Sequence, residues 1–283
     1  MASVVFPGHP EIGVGATEAL SLRVSVGTLV GVLFDDPESG QSMLALERTA
    51  TLREVGGQPE VIVRAKPFGG AVRLLDPQAL ERLIGAFHYD SERSRQENDF
   101  RLQIQPAAWD QVKDICRRHL NRREKSILDP NPERELAEEF ADALHVRLSR
   151  NHYHLKSRGA SVEDLPVPTD NPRAEGMPTA WFYYLFEARV AAPEIIAAML
   201  ANTRRYSDHD LEEMAWENAR QGGRGRANGI LTTALDDLKD AYRSVPAGRR
   251  GEPVQVAGHP LDRSVLALLE GIGRPYRRAT DLR

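Results

Sequence analysis

The sequence predicts an α/β protein, and three observations support this prediction. Residues 21–34 are rich in Val and Leu with partial alternation, which is typical of a buried strand. Residues 179–190 carry the most aromatic stretch of the chain and indicate a second buried strand. Residues 107–121 place apolar side chains at a helical period, so helices accompany the strands.

The early part of the chain predicts an antiparallel β region. A turn cluster, Asp35-Asp36-Pro37-Glu38-Ser39-Gly40, ends the first strand, and alternating segments follow it. Asp76-Pro77 then begins a helix, because Asp is a good N-cap and Pro fits the first turn. The expected strands are 21–34, 42–49, 60–64, 71–75, 100–105, 146–156 and 179–190.

The helices follow from the spacing of apolar residues, and the loops follow from Gly, Pro, Asp and Asn. Residues 159–177 are rich in these four types and predict a loop. GGRGRANG, residues 222–229, resembles a phosphate-binding glycine loop, but it lacks the Lys-Ser/Thr ending, so a flexible connection is favoured. The expected helices are 77–85, 107–121, 132–144, 192–201, 208–220, 229–242 and 262–269.

Composition narrows the class of protein. The 283 residues suffice for one large domain or two modest ones, and the net charge of −4 gives no broad surface for nucleic acid or for an anionic membrane. Neither a secretory signal nor an 18-residue apolar span is apparent, so we expect a cytoplasmic protein. The lone cysteine, Cys116, predicts a packed thiol in a reducing compartment. A homodimer stays open.

The most informative motif is acidic. In RELAEEF, residues 134–140, three carboxylates (Glu135, Glu138 and Glu139) are spaced by three and four positions, which places them on one face of a helix. A divalent cation such as Mg²⁺ would turn their repulsion into attraction, because Mg²⁺ binds carboxylate oxygens and leaves room for substrate phosphates. The motif therefore points to a metal-dependent phosphate enzyme.

RELAEEF resembles the helical part of the Nudix box, the motif of the Nudix hydrolase superfamily. The resemblance implies that Glu135, Glu138 and Glu139 hold Mg²⁺ or Mn²⁺, that Arg134 orients them, and that Gly69-Gly70 opens the box. It also implies hydrolysis of a nucleoside diphosphate linked to some group X, with that small-molecule nucleotide as the ligand. The implied fold is a mixed β-sheet sandwiched between helices. A Nudix-like domain would span 18–220 with an inserted subdomain at 76–131, and a helical C-terminal extension would span 221–283.

Three departures from the motif keep other interpretations open. Arg134 follows Gly70 by 64 positions, so the intervening residues are an insertion or the glycine match is accidental. Ser126 stands where a glutamate is expected, and Ala141 replaces the glycine that follows the glutamate pair. The glutamates could instead be solvated charges. The scaffold could also serve as a catalytically inactive nucleotide-sensing or protein-interaction module.

Overall fold

The computed structural model describes residues 21–122, 126–169, 174–243 and 254–272. The predicted start at 18 and parts of the predicted 221–283 extension lie outside these ranges. Within them the chain forms a mixed sheet flanked by helices, which confirms the α/β class. None of the described helices is both long and apolar enough to cross a membrane.

One eight-stranded sheet organises the chain, and β1 is its central strand. β1 runs parallel to β9 from Arg23 to Leu33, while its other edge pairs first with β6 and then with β2. β10 and β3 pair with β2, β8 pairs with β9, and β5 pairs with β6. These eight strands are β1 (Leu22–Asp35), β2 (Ser42–Val55), β3 (Gln58–Lys66), β5 (His88–Tyr89), β6 (Arg101–Ile104), β8 (Tyr153–Pro168), β9 (Pro178–Val190) and β10 (Arg226–Ala234). The short strands β4 (Arg73–Leu74), β7 (Leu128–Asp129), β11 (Gln255–Val256) and β12 (His259–Pro260) form two small ribbons.

Helices cover both faces of this sheet. Successive side chains of a strand point to opposite faces, and β1 follows this rule: Val24, Val30 and Val32 pack under one helical layer, while Leu29 and Leu33 pack under another. The first layer contains α1 (Pro77–Ile84), α3 (Trp109–Arg122), α4 (Pro132–Leu144) and α5 (Pro193–Arg205), and the second contains α7 (Leu235–Arg243) and α8 (Ser264–Ile272). α6 (Asp208–Arg220) packs against β2 and β10, and α2 (Glu92–Glu97) lies next to β5.

Two local predictions are wrong, because strand pairing extends into segments that were expected to be a loop and a helix. In the loop expected at 159–177, residues 159–168 are instead the second half of β8, which pairs with β9 with two shifts of register. The helix expected at 229–242 is strand β10 up to Ala234 and helix α7 only afterwards. Between α5, α6 and α7, β10 is buried along most of its length, and Ile230, Leu231 and Ala234 have a spacing that also suits a helix.

The segments predicted to be accessory also contribute to the main sheet. Within 76–131, β6 pairs with β1 and β5 pairs with β6. At its N-terminal end, the segment predicted as a helical extension supplies β10, which pairs with β2 over nine residues. The extension is therefore not helical throughout.

Candidate functional site

The acidic helix α4 lies beside the predicted glycine pair, and an aromatic contact packs the two segments together. α4 starts after Asn131, whose side chain accepts the Arg134 backbone N–H at 3.1 Å. Its buried face carries Phe140, whose ring centroid lies 4.9 Å from that of Phe68. Since Phe68 immediately precedes Gly69, this packing brings the glycine pair to the glutamates although 64 positions separate Gly70 from Arg134.

Both glycines touch α4, and the backbone conformation of Gly69 requires a glycine. The Gly69 N–H donates to Glu139 Oε2 at 2.6 Å, and Gly69 has a φ of +134°, which side chains rarely adopt. A Cβ at Gly70 would lie 2.1 Å from Glu135 Oε2. The structure thus brings together Gly69, Gly70, Glu135 and Glu139, with Glu138 on the solvent side of the helix.

A second carboxylate, unforeseen in the sequence, completes the interior of this site. Glu47 on β2 is fully buried and faces Lys66 across the β2–β3 pair. The Lys66 ammonium contacts Glu47 and also lies 3.1 Å from Glu139 Oε1. Arg226 on β10 binds the other Glu47 oxygen at 3.0 Å. We call Glu47, Lys66, Glu139 and Arg226 the buried charge cluster.

The pKa values of the two carboxylates in this cluster are shifted in opposite directions. Burial raises the pKa of Glu139 well above its usual range, and the nearby Glu47 charge adds to this effect. Burial acts on Glu47 in the same sense, but Lys66 and Arg226 outweigh it and lower its pKa. Burial alone would lower the pKa of Lys66, yet the two carboxylates raise it, so its ammonium stays charged.

The remaining helix carboxylates are held by Arg134. Its guanidinium contacts Glu135 and lies 3.2 Å from Glu138. Glu135 is buried, which raises its pKa despite the arginine, whereas the Glu138 side chain is 59% exposed. Arg134 therefore pairs with two of the three glutamates of the motif.

The donor set does not fit a divalent cation in this arrangement. Metal ligands must be deprotonated and free to turn their oxygens towards the ion. Both oxygens of Glu139 are bonded, to Gly69 and Lys66, and Glu135 and Glu138 share Arg134. Among the described residues, no three Asp, Glu, His or Cys side chains converge as a metal-binding group. The magnesium site inferred from the motif stays a prediction.

An open cleft of about 840 Å³ begins one helical turn beyond Glu138, at Ala141 and Asp142. Its walls come from the C-terminal half of α4, from α5 and α6, and from the start of β10. We call it the arginine cleft, after the guanidinium-bearing residues that line it: Arg93, Arg205, Arg224 and Arg226.

The cleft carries positive charge that the described residues do not neutralise. Arg93 pairs with Glu97 and Arg226 pairs with Glu47, but neither Arg205 nor Arg224 forms an ion pair with another described residue. Asp142 is the one carboxylate among the lining residues.

Sequence reasoning missed this part of the site for identifiable reasons. Arg224 and Arg226 lie in GGRGRANG, for which the sequence favours a flexible connection; its first half is the turn that leads into β10, and its second half, from Arg226, is the start of β10. Glu47 and Lys66 are single charges in ordinary strands, and only the pairing of β2 with β3 brings them together. The aromatic run at Trp181–Tyr184 is buried, as the buried strand predicted at 179–190 requires.

The chain matches no protein-family model, and neither the curated proteins nor the solved structures contain a match.

Proposed function

We propose that the chain is a binding module for a phosphate-bearing small molecule of the nucleoside diphosphate class, and that the arginine cleft is its binding site. The observation that carries this proposal is the pair of guanidinium groups, Arg205 and Arg224, which lack a carboxylate partner among the described residues. Guanidinium groups bind phosphates through paired, charge-assisted hydrogen bonds, so an anionic ligand would supply the missing charge.

The size and the remaining lining of the cleft support a nucleotide rather than a bare anion. Its volume of about 840 Å³ lies within the usual range for small-molecule sites. Tyr206 and Met214 contribute apolar surface, and the Met214 side chain is 43% exposed. Such surfaces accept the face of a planar base. Arg226 links the cleft to the buried charge cluster, because it lines the cleft and also pairs with Glu47 in the cluster.

The direct test is calorimetric titration in the presence of EDTA. We expect saturable binding from a panel of dinucleoside polyphosphates, ADP-ribose, nucleotide sugars and nucleoside triphosphates. Arg205→Ala and Arg224→Ala should each weaken binding roughly 10- to 150-fold, because a charge-assisted hydrogen bond contributes about 1.5–3 kcal/mol.

Arg220→Ala is the matched control. Arg220 is an exposed arginine of α6 that pairs with Glu217 at 3.0 Å and does not line the cleft. This variant should bind like the wild type. Equal affinity of the wild type and both cleft variants would refute the assignment of the cleft.

The second candidate is the Mg²⁺-dependent hydrolase that the Nudix resemblance implies. It is favoured by the contacts of the Gly69–Gly70 pair with Glu139 and Glu135, which match the expected relation between the two halves of the motif. The same panel, incubated with Mg²⁺ or Mn²⁺, separates the candidates. A hydrolase would turn over one of these compounds and lose at least tenfold in turnover in Glu138→Gln and Glu139→Gln. Binding without turnover supports the module.

A further inference from the structure

The buried charge cluster places a lysine where two carboxylates from different elements converge. Glu47 and Lys66 are directly opposed in the antiparallel register of β2 and β3, so backbone pairing fixes their proximity. Glu139 approaches the same ammonium from α4 at 3.1 Å. Lys66 therefore bridges a strand carboxylate and a helix carboxylate.

Glu139 is held by a second contact besides the one with the lysine. Its second oxygen accepts the Gly69 N–H at 2.6 Å, and the Gly69 segment is anchored on β1 by the bond from Val30 N–H to the Phe68 carbonyl at 2.7 Å. The carboxylate is thus held facing the ammonium. A side chain clamped in this way has little freedom to turn towards another cation.

The cluster matches two carboxylates with two cationic side chains without an added ion, and its charges balance when Glu139 is ionised. Glu47 and Glu139 can supply two negative charges, and Lys66 and Arg226 supply two positive ones. The Glu47 side chain is fully buried and that of Glu139 is 12% exposed, so loss of a cation would leave a carboxylate uncompensated in the interior. A bridging divalent cation would perform the same electrostatic task.

We propose that Lys66 is a built-in cation that replaces a divalent metal between Glu47 and Glu139, so that the junction of α4 with the glycine segment forms without metal. Lys66 is then a positioning residue: it keeps Glu139 on Gly69 and leaves Arg226 available to both Glu47 and the arginine cleft. Removing the ammonium should create a site at which a divalent cation restores what the lysine supplied.

The experiment measures the melting temperature and direct Mn²⁺ binding, with MnCl₂ as the probe. Wild-type protein should melt at the same temperature in EDTA and in millimolar Mn²⁺. Adding wild-type protein should not reduce the paramagnetic signal of free Mn²⁺, because the cluster binds none. Lys66→Met should melt roughly 5–10 °C lower in EDTA, since it breaks a buried ion pair, and Mn²⁺ should restore the loss saturably. Lys66→Met combined with Glu139→Gln should not respond to Mn²⁺, because one of the two carboxylates is gone.

Lys239→Met is the control, because Lys239 is a lysine of α7 whose side chain is 39% exposed and that pairs with Asp236 at 2.9 Å. It should leave the melting temperature and the Mn²⁺ response unchanged. Saturable Mn²⁺ binding by the wild type that disappears in Glu139→Gln would overturn the proposal, and this comparison needs no lysine variant. A folded Lys66→Met protein that ignores Mn²⁺ would overturn it as well.

Discussion

Replacing Gly69 by alanine tests the junction between the glycine segment and the acidic helix. Gly69 has a φ of +134°, where a side chain costs about 1–3 kcal/mol. Its new Cβ would also lie 1.9 Å from the Thr28 carbonyl oxygen, a backbone atom of β1 that cannot rotate away. Relief of such a clash costs about 1–3 kcal/mol more. The expected loss is roughly 2–6 kcal/mol, a large part of the 5–15 kcal/mol that stabilises a typical protein.

Gly70→Ala is the informative companion, because its clash is with a side chain instead of the backbone. The new Cβ would lie 2.1 Å from Glu135 Oε2. Removing that carboxylate in Gly70→Ala/Glu135→Ala should recover part of the stability, whereas Glu135→Ala should not rescue Gly69→Ala. The double-mutant comparison separates the two mechanisms.

Urea unfolding followed by tryptophan fluorescence provides the assay, since Trp109 and Trp181 are buried. The free energy of unfolding should fall in the order wild type, Gly70→Ala, Gly69→Ala. A Gly69→Ala protein as stable as the wild type would show that the glycine segment does not have the backbone geometry described.

Three further predictions concern the framework around the site. Asp90→Ala should destabilise the protein by about 3–5 kcal/mol in urea, because it leaves Arg23 buried and unpaired; a loss below 1 kcal/mol would contradict the buried ion pair. Asn202→Ala should lower the free energy of unfolding by about 2–4 kcal/mol, because the Ala143 carbonyl and the Ile230 N–H both lose their hydrogen-bond partner. Hydrogen exchange at Ile230 should accelerate, and an unchanged exchange rate would contradict this role. Burial raises the pKa of Cys116 to about 12, so this thiol stays protonated and should resist alkylation at pH 8 until urea unfolds the chain. As pH rises above the ordinary thiol pKa towards 12, the unfolded state loses this proton first, so this group reduces stability at high pH; rapid alkylation of folded protein would contradict the burial.

The sequence predicted only those parts of the candidate site that depend on neighbouring residues in the chain. The spacing of Glu135, Glu138 and Glu139 fixes their placement on α4, and Asn131-Pro132 fixes where that helix begins. The pairing of this helix with Gly69–Gly70 was inferred from motif resemblance, and the contact between Phe68 and Phe140 brings the two together. Glu47 and Lys66 carry no sequence signal, because their meeting depends on the register of β2 with β3.

The sequence by itself determined the α/β class, most helices and the acidic face of α4, because periodicity, caps and turn residues act within a few positions of the chain. Only the tertiary structure decided that residues 226–234 form a strand, that the second half of β8 pairs where a loop was expected, and that arginines from α5 and β10 meet beside α4. Those features depend on partners that are distant in sequence. Burial and long-range strand pairing override the local pattern that a single segment displays.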